Sequence, residues 1–534
     1  ATFHRMPGSM RMHRLTPLAL TILLLAVAPS AYAARGFSYG VTAGDVNATG
    51  AVLWAKAKKS GRYTLEVARN KRFTKGLHSA RVQAKRSHDN TVQARMGRLT
   101  PGKRYFFRFV GRHSKSATGS FTTAPKASQS KTVEFAWSGD QDFNSTPGQT
   151  KPYWNDGGVL RQMKKEKNAF NVMLGDTIYS DSEVPGRLNP IALTVKQKWA
   201  KYKINLKNRS LQALRASAGF YSQWDDHEFV NDFSPKENSF DNNVNVKGST
   251  LYRRGTQAFR DYAPVHWTKR NGLYRSFRWG KNLEVFFLDE RSFRSANADE
   301  GHVCDNKQTG QPDLAPTAPQ STRTAFAAVT PSLAESVPKE CTDRINDPNR
   351  TFLGKRQLAT FKRAVKRSTA RFKVVMNEMP IQQYYILPYD RWEGFAAERT
   401  DLLRYLKQNV KNVIFLTTDV HATLINDARF KTLESGGPEN SGITDMTVGP
   451  VATADFGKEI DGTTGPNSHV LVDAGFLTPP PPGGIGMQCS VLDQFSYGQV
   501  KVTSKQLTIT PKDISGTPQT DNGHSCQVTL NYVQ

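Results

Sequence analysis

Cysteine is scarce in this chain: four in 534 residues, at 304, 341, 489 and 526, with no C-x-x-C spacing. That spacing argues against a zinc ribbon or a dithiol redox centre. Beyond the first thirty residues there is no second apolar run of spanning length, which excludes a polytopic membrane protein. No internal repeat emerges, so a β-propeller is excluded. RNP-like and zinc-finger signatures are absent, and no specific nucleic-acid partner is expected. Acidic residues are the minority, 46 against 73 Lys and Arg, for a formal charge of +27. A charge this large suits an anionic polymer or surface, and it also serves solubility.

The N-terminus reads as a Sec-type export signal over residues 1–33. Arg5, Arg11 and Arg14 precede the apolar "LALTILLLAVA", and "AYA" offers a small-residue cleavage site. Arg11 and Arg14 are not adjacent, so the twin-arginine route is not indicated. Ala1 is no initiator, and Met6 or Met10 is the expected start. A secreted or periplasmic protein follows, and four cysteines fit that compartment. Of the three possible pairings, Cys304–Cys341 with Cys489–Cys526 is favoured because each pair is close in sequence.

Residues 36–125 alternate in the manner of strands, with "AVLWAKA", "YTLEVAR", "YFFRFVG" and "GSFTTAP" separated by turn residues. The spacing suggests a small β-sandwich, and it resembles a fibronectin type III domain. From 131 to 534 the style changes. Buried-strand runs such as "VEFAW", "NVML", "GFYSQ", "LEVFFL", "FKVVM" and "NVIFL" alternate with helical patterns at "LRQMKKEKN", "GSTLYRRGTQAFRDYAP", "LGKRQLATFKRAVKR" and "AAERTDLLRYLKQN". Each run ends in a polar cluster, the place where α/β sheets carry their chemistry. Residues 295–350, rich in Pro, Ala, Thr and Ser, read as a disulfide-ordered insertion.

The segment "QWDDHEFVND", 223–232, crowds carboxylates among Trp224 and Phe229. Asp140, Asp176, Asp225, Asp226 and Asp419 all fall at strand exits, with Tyr179, His227 and His421 close behind them. Gathered carboxylates resist ionisation unless a cation neutralises them. Asp225 and Asp226 can serve one site together only if the strand has already ended, because neighbours on a strand face opposite ways. Two cations roughly 3.5–4 Å apart can share a carboxylate and hold a hydroxide for in-line attack on phosphorus. No Asp-Ser-Ala-like nucleophile segment accompanies these acids.

"GDTIYSD", "WDDHEFVND", "LDERSFR" and "TTDVH", in this order after a β-rich region, resemble the PhoD-type alkaline phosphatases. The resemblance implies a four-layer αββα metallophosphoesterase domain with an Fe(III)–Ca pair, Mn or Zn being the alternatives. It makes Asp176 the bridging carboxylate and Tyr179 a phenolate on iron. Asp225 becomes a ligand, with Asp226 and Asn231 as further candidates, and Asp419 and His421 form the last ligand segment. His227 becomes the group that protonates the leaving alkoxide or binds phosphate. Family members often carry "SCQ" at the first strand exit, where this chain has "SGDQ", so Asp140 stands in place of a cysteine. A carboxylate is harder than a thiolate and selects less strongly for iron. Arg291 and Arg294 are expected to meet phosphate oxygens through their guanidinium forks, with Arg253 and Arg254 next in line. Asp390 and Trp392 lie in a segment expected to line the site.

The expected activity is therefore that of an exported, monomeric, metal-dependent phosphomonoesterase with some diesterase action, metal-bound hydroxide attacking phosphorus. One alternative is a phosphodiesterase or phospholipase D-like enzyme acting on teichoic acid, nucleic acid or lipid. Another, of a different class, is a surface-binding protein with a structural metal site.

Overall fold

The computed structural model describes residues 35–187, 190–240 and 243–534, so the expected leader at 1–33 lies outside the described residues. The β-rich opening consists of β1 (Phe37–Gly44), β2 (Ala51–Ala57), β3 (Gly61–Ala68), β4 (His78–Ala84), β5 (Thr91–Met96), β6 (Arg104–Gly111), β7 (Ser114–Lys115) and β8 (Gly119–Thr122). The α/β part contributes β9 (Val133–Ser138), β10 (Phe170–Leu174), β11 (Gly219–Gln223), β12 (Arg275–Trp279), β13 (Leu283–Phe287), β14 (Phe372–Met376), β15 (Val413–Thr417), β16 (Thr423–Lys431), β17 (Glu439–Thr447) and β18 (Cys489–Val491). β19 (Ser496–Val502), β20 (Gln506–Asp513), β21 (Thr520–Asp521), β22 (His524–Ser525) and β23 (Val528–Asn531) complete the chain.

The β-rich opening divides between two sheets. β4, β3, β6 and β7 run in that order with β8 on β6, while β1, β2 and β5 extend the larger sheet β23-β20-β19-β9-β10-β11-β1-β2-β5. The join is a parallel pairing of β1 with β11, Ala43 facing Gly219. Composition alone gives no sign of this, because β1 has the same alternating pattern as its neighbours. The seven-stranded sheet runs β12-β13-β14-β15-β17-β16-β18.

One apolar core takes residues from both large sheets, among them Phe135, Trp137, Phe170 and Leu174 from one and Val285, Phe287, Val374 and Leu416 from the other. Two further cores lie where helices cover the sheets. Val159, Trp199 and Phe259 pack with Phe220, and Phe361, Leu402 and Leu406 pack with Phe286 and Phe415. The strands β9, β10, β11, β13, β14 and β15 are five or six residues long and almost wholly buried, in keeping with their mostly apolar sequences. β9, β10 and β11 are mutually parallel, as are β13, β14 and β15, so within each trio the exits lie at one edge. Helices Gly158–Lys165, Gly248–Tyr262, Lys355–Arg367 and Ala396–Asn409 fall where the 3.6-residue spacing predicts them. Among the described residues no helix is long and apolar enough to cross a membrane.

Both disulfides take the pairing favoured from sequence, Cys304–Cys341 and Cys489–Cys526. The first sits within the 295–350 segment, whose buried Arg323–Asp313 pair closes at 2.6 Å. That segment is tied to the chain before Asp390 by Tyr389 Oη donating to the Asp313 carbonyl at 2.7 Å, and by the Leu387 amide donating to Leu314.

Candidate metal centre

β11 ends at Gln223, so Asp225 and Asp226 stand on a loop and the alternation of a strand no longer separates them. The surrounding aromatics brace that loop. Trp224 meets Phe229 and Phe259 edge-on, with ring centroids at 5.5 and 5.2 Å, and its indole N–H donates to Asp289 at 3.1 Å. The loop closes on itself through the Phe229 amide to the Asp226 carbonyl and the Asp232 amide to Asp226 Oδ2, both 2.6 Å.

The backbone at the exits is strained. Asp140, Asp176, Asp419 and His421 have φ of 62°, 44°, 72° and 57°. A non-glycine residue in this region carries a conformational cost, and such residues gather at functional sites. The neighbouring glycines make room. Gly175 has φ +85°, and a Cβ there would lie 2.9 Å from the Asp225 Cβ. At Gly449 a Cβ would lie 2.8 Å from Asp140 Oδ2.

Among the described residues three sets of ligand atoms converge within 4.8 Å: Asp140, Asp176 and His421; Asp176, Asp226 and His227; and Asp226, Asp232 and Asp390. Asp176 belongs to the first two, so one carboxylate lies between two clusters. Of the expected ligands, Asp140, Asp176, Asp226 and His421 meet here. His227, expected as an acid, joins them, and Asp232 is a member that the motifs do not single out. Tyr179 Oη lies 3.0 Å from His421 Nε2, and its ring stacks on His227 at 4.0 Å. Asp225 lies outside these sets. Its Oδ1 accepts from Arg291 Nε at 2.6 Å, while its buried Oδ2 has no hydrogen-bond partner. Asp419 is likewise in none of these acid and histidine sets. The Asn231 amide donates to Asp181 Oδ2 at 2.7 Å.

The arginines depart from expectation. Arg291 and Arg294 are wholly buried and turned toward carboxylates. Arg291 grips Asp390 bidentately at 2.8 and 2.7 Å besides holding Asp225. Arg294 Nη1 lies 2.9 Å from the same Asp390, with Phe352 and Phe395 against its guanidinium. Desolvation explains this: buried cations need buried anions. Arg254 Nη1 donates to the Leu193 carbonyl at 3.0 Å, and Arg253 is exposed.

Each histidine is oriented by a carboxylate. His227 Nδ1 lies 2.6 Å from Asp181, and His421 Nδ1 lies 2.6 Å from Glu459 on the helix Phe456–Thr464. An ionised carboxylate only accepts, so each Nδ1 carries the proton. Asp181 stands within "GDTIYSD", where a second acid could have been noticed. Glu459 lies in no motif.

Electrostatics favour a bound cation. Burial, augmented by Asp419, pushes Asp140 up to about 7 against the pull of His421. Burial, then Asp226 and Asp390, brings Asp419 to about 7 as well. Asp176 is raised further by burial, with Asp226 and Asp225 adding to it and His227 opposing. Burial and the charges of Asp176 and Asp140 hold the Tyr179 phenol well above its usual range. Burial would lower both imidazoles, but Asp181 and Asp176 outweigh it at His227, and Glu459 brings His421 to about 10. Both oxygens of Asp140 are buried without a hydrogen-bond partner. Such acceptors are costly unless something positive meets them. Orphaned oxygens and convergent O and N donors fit metal ions.

The family model for PhoD-like phosphatases matches residues 143–509, and that for their N-terminal domain matches 25–125. Alkaline phosphatase D of Bacillus subtilis (strain 168) is 25% identical over 427 residues, 72% of this chain and 64% of that protein. The matched region thus spans somewhat under two thirds of that relative's length. A solved structure of PhoD aligns at TM-score 0.70 with 20% identity, covering 93% of this chain and 95% of that one. The purple acid phosphatase PPD1 from yellow lupin seeds aligns at 0.56 with 10% identity, covering 93% and 74%. With more than half of its length matched by the family model, the chain belongs to the PhoD-like phosphatase family.

Proposed function

We propose that this protein is an exported, metal-dependent phosphomonoesterase with additional diesterase activity. The observation that carries this reading is Asp176, shared between two carboxylate–histidine clusters. The family assignment supports phosphate esters as substrates, and two disulfides suit an oxidising compartment. We read the layering as αββα, with the remaining N-terminal strands as a fibronectin type III-like unit, acting as a monomer.

Asp140, Asp176 and His421, with Tyr179 alongside, would hold one cation. Asp176 and Asp226, with Asn231 and Asp419 in reach of the same loops, would hold the other. When bound, such cations supply an acidified water and offset charge building on the phosphoryl oxygens. Fe(III) with Ca is our assignment by kinship, and the oxygen and nitrogen donors also suit Mn or Zn.

The chain's own groups do the rest. Asp181 fixes the proton of His227 on Nδ1, so Nε2 is the atom that can give a proton to the departing alkoxide. Arg291 acts by holding Asp225, and Arg294 by holding Asp390, since both guanidiniums are already engaged. Arg254 remains a candidate for meeting the substrate.

Asp176→Ala tests the assignment. Hydrolysis of an aryl phosphate should vanish while the circular dichroism spectrum stays native, and metal content should fall. Full turnover in a metal-analysed preparation would overturn it. The ratio of aryl phosphate to bis-aryl phosphate turnover on the wild-type protein decides between monoester and diester preference.

A further inference from the structure

The positive charge of this protein is concentrated in one short region. Residues 35–125 hold nineteen Lys and Arg against three acids, a net +16 in 91 residues, whereas residues 126–534 carry +8. None of the three acids is exposed. Asp45 is buried against Arg275, Glu66 pairs with Arg108 at 2.6 Å, and Asp89 lies between Lys56 and Lys203. Seventeen of the nineteen cations are exposed.

The sheet β4-β3-β6 places some of these charges on one face. Tyr63, Leu65 and Val67 of β3 and Tyr105, Phe107 and Phe109 of β6 are buried, so the alternate residues point the other way. On that outer face Arg81 is opposite Thr64, Arg62 is opposite Gln83, and Phe106 is opposite Ala68, with Arg104 two residues before Phe106. Arg62, Arg81 and Arg104 are exposed. The half-buried Phe106 ring carries the Arg104 guanidinium at 5.2 Å and the Lys71 ammonium at 6.0 Å. Cations already resting on a ring lose less freedom when they bind. Besides Lys71, three more exposed cations, Arg69, Arg72 and Lys75, stand on the turn from 69 to 77.

The geometry points to this face as a docking surface for an anionic polymer whose charges are phosphates. Like charges packed on one sheet repel one another, and a polyanion relieves that repulsion while releasing its own counterions. Arginine suits phosphate because its planar fork meets two oxygens at once. The choice of phosphate over other anions rests on the phosphoesterase reading, and the binding itself does not. A polymer held here would also raise the local concentration of its ester groups around the enzyme.

The test is binding of long-chain inorganic polyphosphate to the full chain at about 0.15 M salt, with heparin as a sulfate comparison. The variant Arg62→Glu/Arg81→Glu/Arg104→Glu should lose affinity about tenfold or more, and its log–log salt dependence should flatten by about two units. A control of equal charge change, Lys165→Glu/Arg367→Glu/Lys505→Glu, should lose much less. Should the reversals impair folding, the corresponding Arg→Gln triple should give the same order of affinities. Asp176→Ala should bind polyphosphate like the wild type, which separates failure of docking from failure of the catalytic assignment. Equal losses in both triples, or no binding at all, would overturn the surface. Equal affinity for heparin would overturn phosphate as its ligand.

Discussion

Tyr179 Oη and His421 Nε2 meet at 3.0 Å across 242 residues of chain, joining the second and the last of the strand-exit motifs. Neither residue could hold that position alone. Tyr179 is fixed by its stack on His227, and His421 by Glu459. The two expected ligand segments are therefore aligned by a layer of carboxylates behind them.

Glu459→Gln should expose that dependence. A carboxylate behind a ligating histidine fixes its tautomer and strengthens its donor atom, and losing it commonly costs 10–100-fold in metal affinity. Metal titration of the variant should show a loss of about that size, with secondary structure unchanged. An unaltered affinity would make Glu459 a surface residue of its helix.

Asp181→Asn should act on the proton and not on the metal alone. Asp181 holds His227 Nδ1 and the Asn231 amide together. Without its charge, the elevated pKa of His227 should fall, and the imidazolium becomes less favoured. General acids contribute about 10²–10⁴-fold. Alkyl phosphates, whose leaving groups need a proton, should lose about that factor. Aryl phosphates should lose far less. A uniform loss across leaving groups would point to metal binding.

Much of this arrangement was legible in the chain. β11 and β14 coincide with "GFYSQ" and "FKVVM", because buried strands read as short, mostly apolar runs bounded by polar exits. Asp140, Asp176, Asp226 and His421 could be singled out because a carboxylate at a strand exit has few other reasons to recur. The pairing of β1 with β11 was not legible, since hydrogen bonding between strands leaves no local mark in sequence. The engagement of Arg291 and Arg294 was hidden for a related reason. A basic residue near acidic motifs looks the same whether it faces substrate or a buried carboxylate, and only burial separates the two. Glu459 sits on an ordinary helical turn, and nothing nearby distinguishes it.

Asp390 follows from those arginines. Its carboxylate meets Arg291 at 2.7 Å and Arg294 at 2.9 Å. Burial alone would raise its pKa, but Arg291 and then Arg294 hold it below the usual carboxylate value. Asp390→Ala leaves two buried guanidiniums short of their anion. Breaking a buried pair from one side costs about 3–5 kcal/mol. Chemical denaturation of the variant should show a loss of that order. A loss under about 1 kcal/mol, typical of a solvated pair, would contradict the closed arrangement.

Glu237 offers a test by pH. Its Oε1 accepts the Asn297 amide at 2.5 Å, and its backbone carbonyl accepts Gly248, so it ties the start of the insertion to the loop before helix Gly248–Tyr262. Burial pushes its pKa up to about 8, against the Asn297 hydrogen bond and Arg294, with Asp390 and Glu300 adding to the rise. The unfolded chain ionises this group near 4.5. Between those values the folded protein holds a proton that the unfolded chain has released, so stability falls as pH rises through that window. For one group the slope cannot exceed about 1.4 kcal/mol per pH unit. Glu237→Gln removes the titration, and its stability relative to wild type should climb from pH 5 to pH 8 and level off above. Denaturant midpoints at pH 5, 6.5, 8 and 9 measure it. A constant difference across that range would mean that Glu237 is already ionised in the folded protein and that Asn297 and Arg294 outweigh its burial.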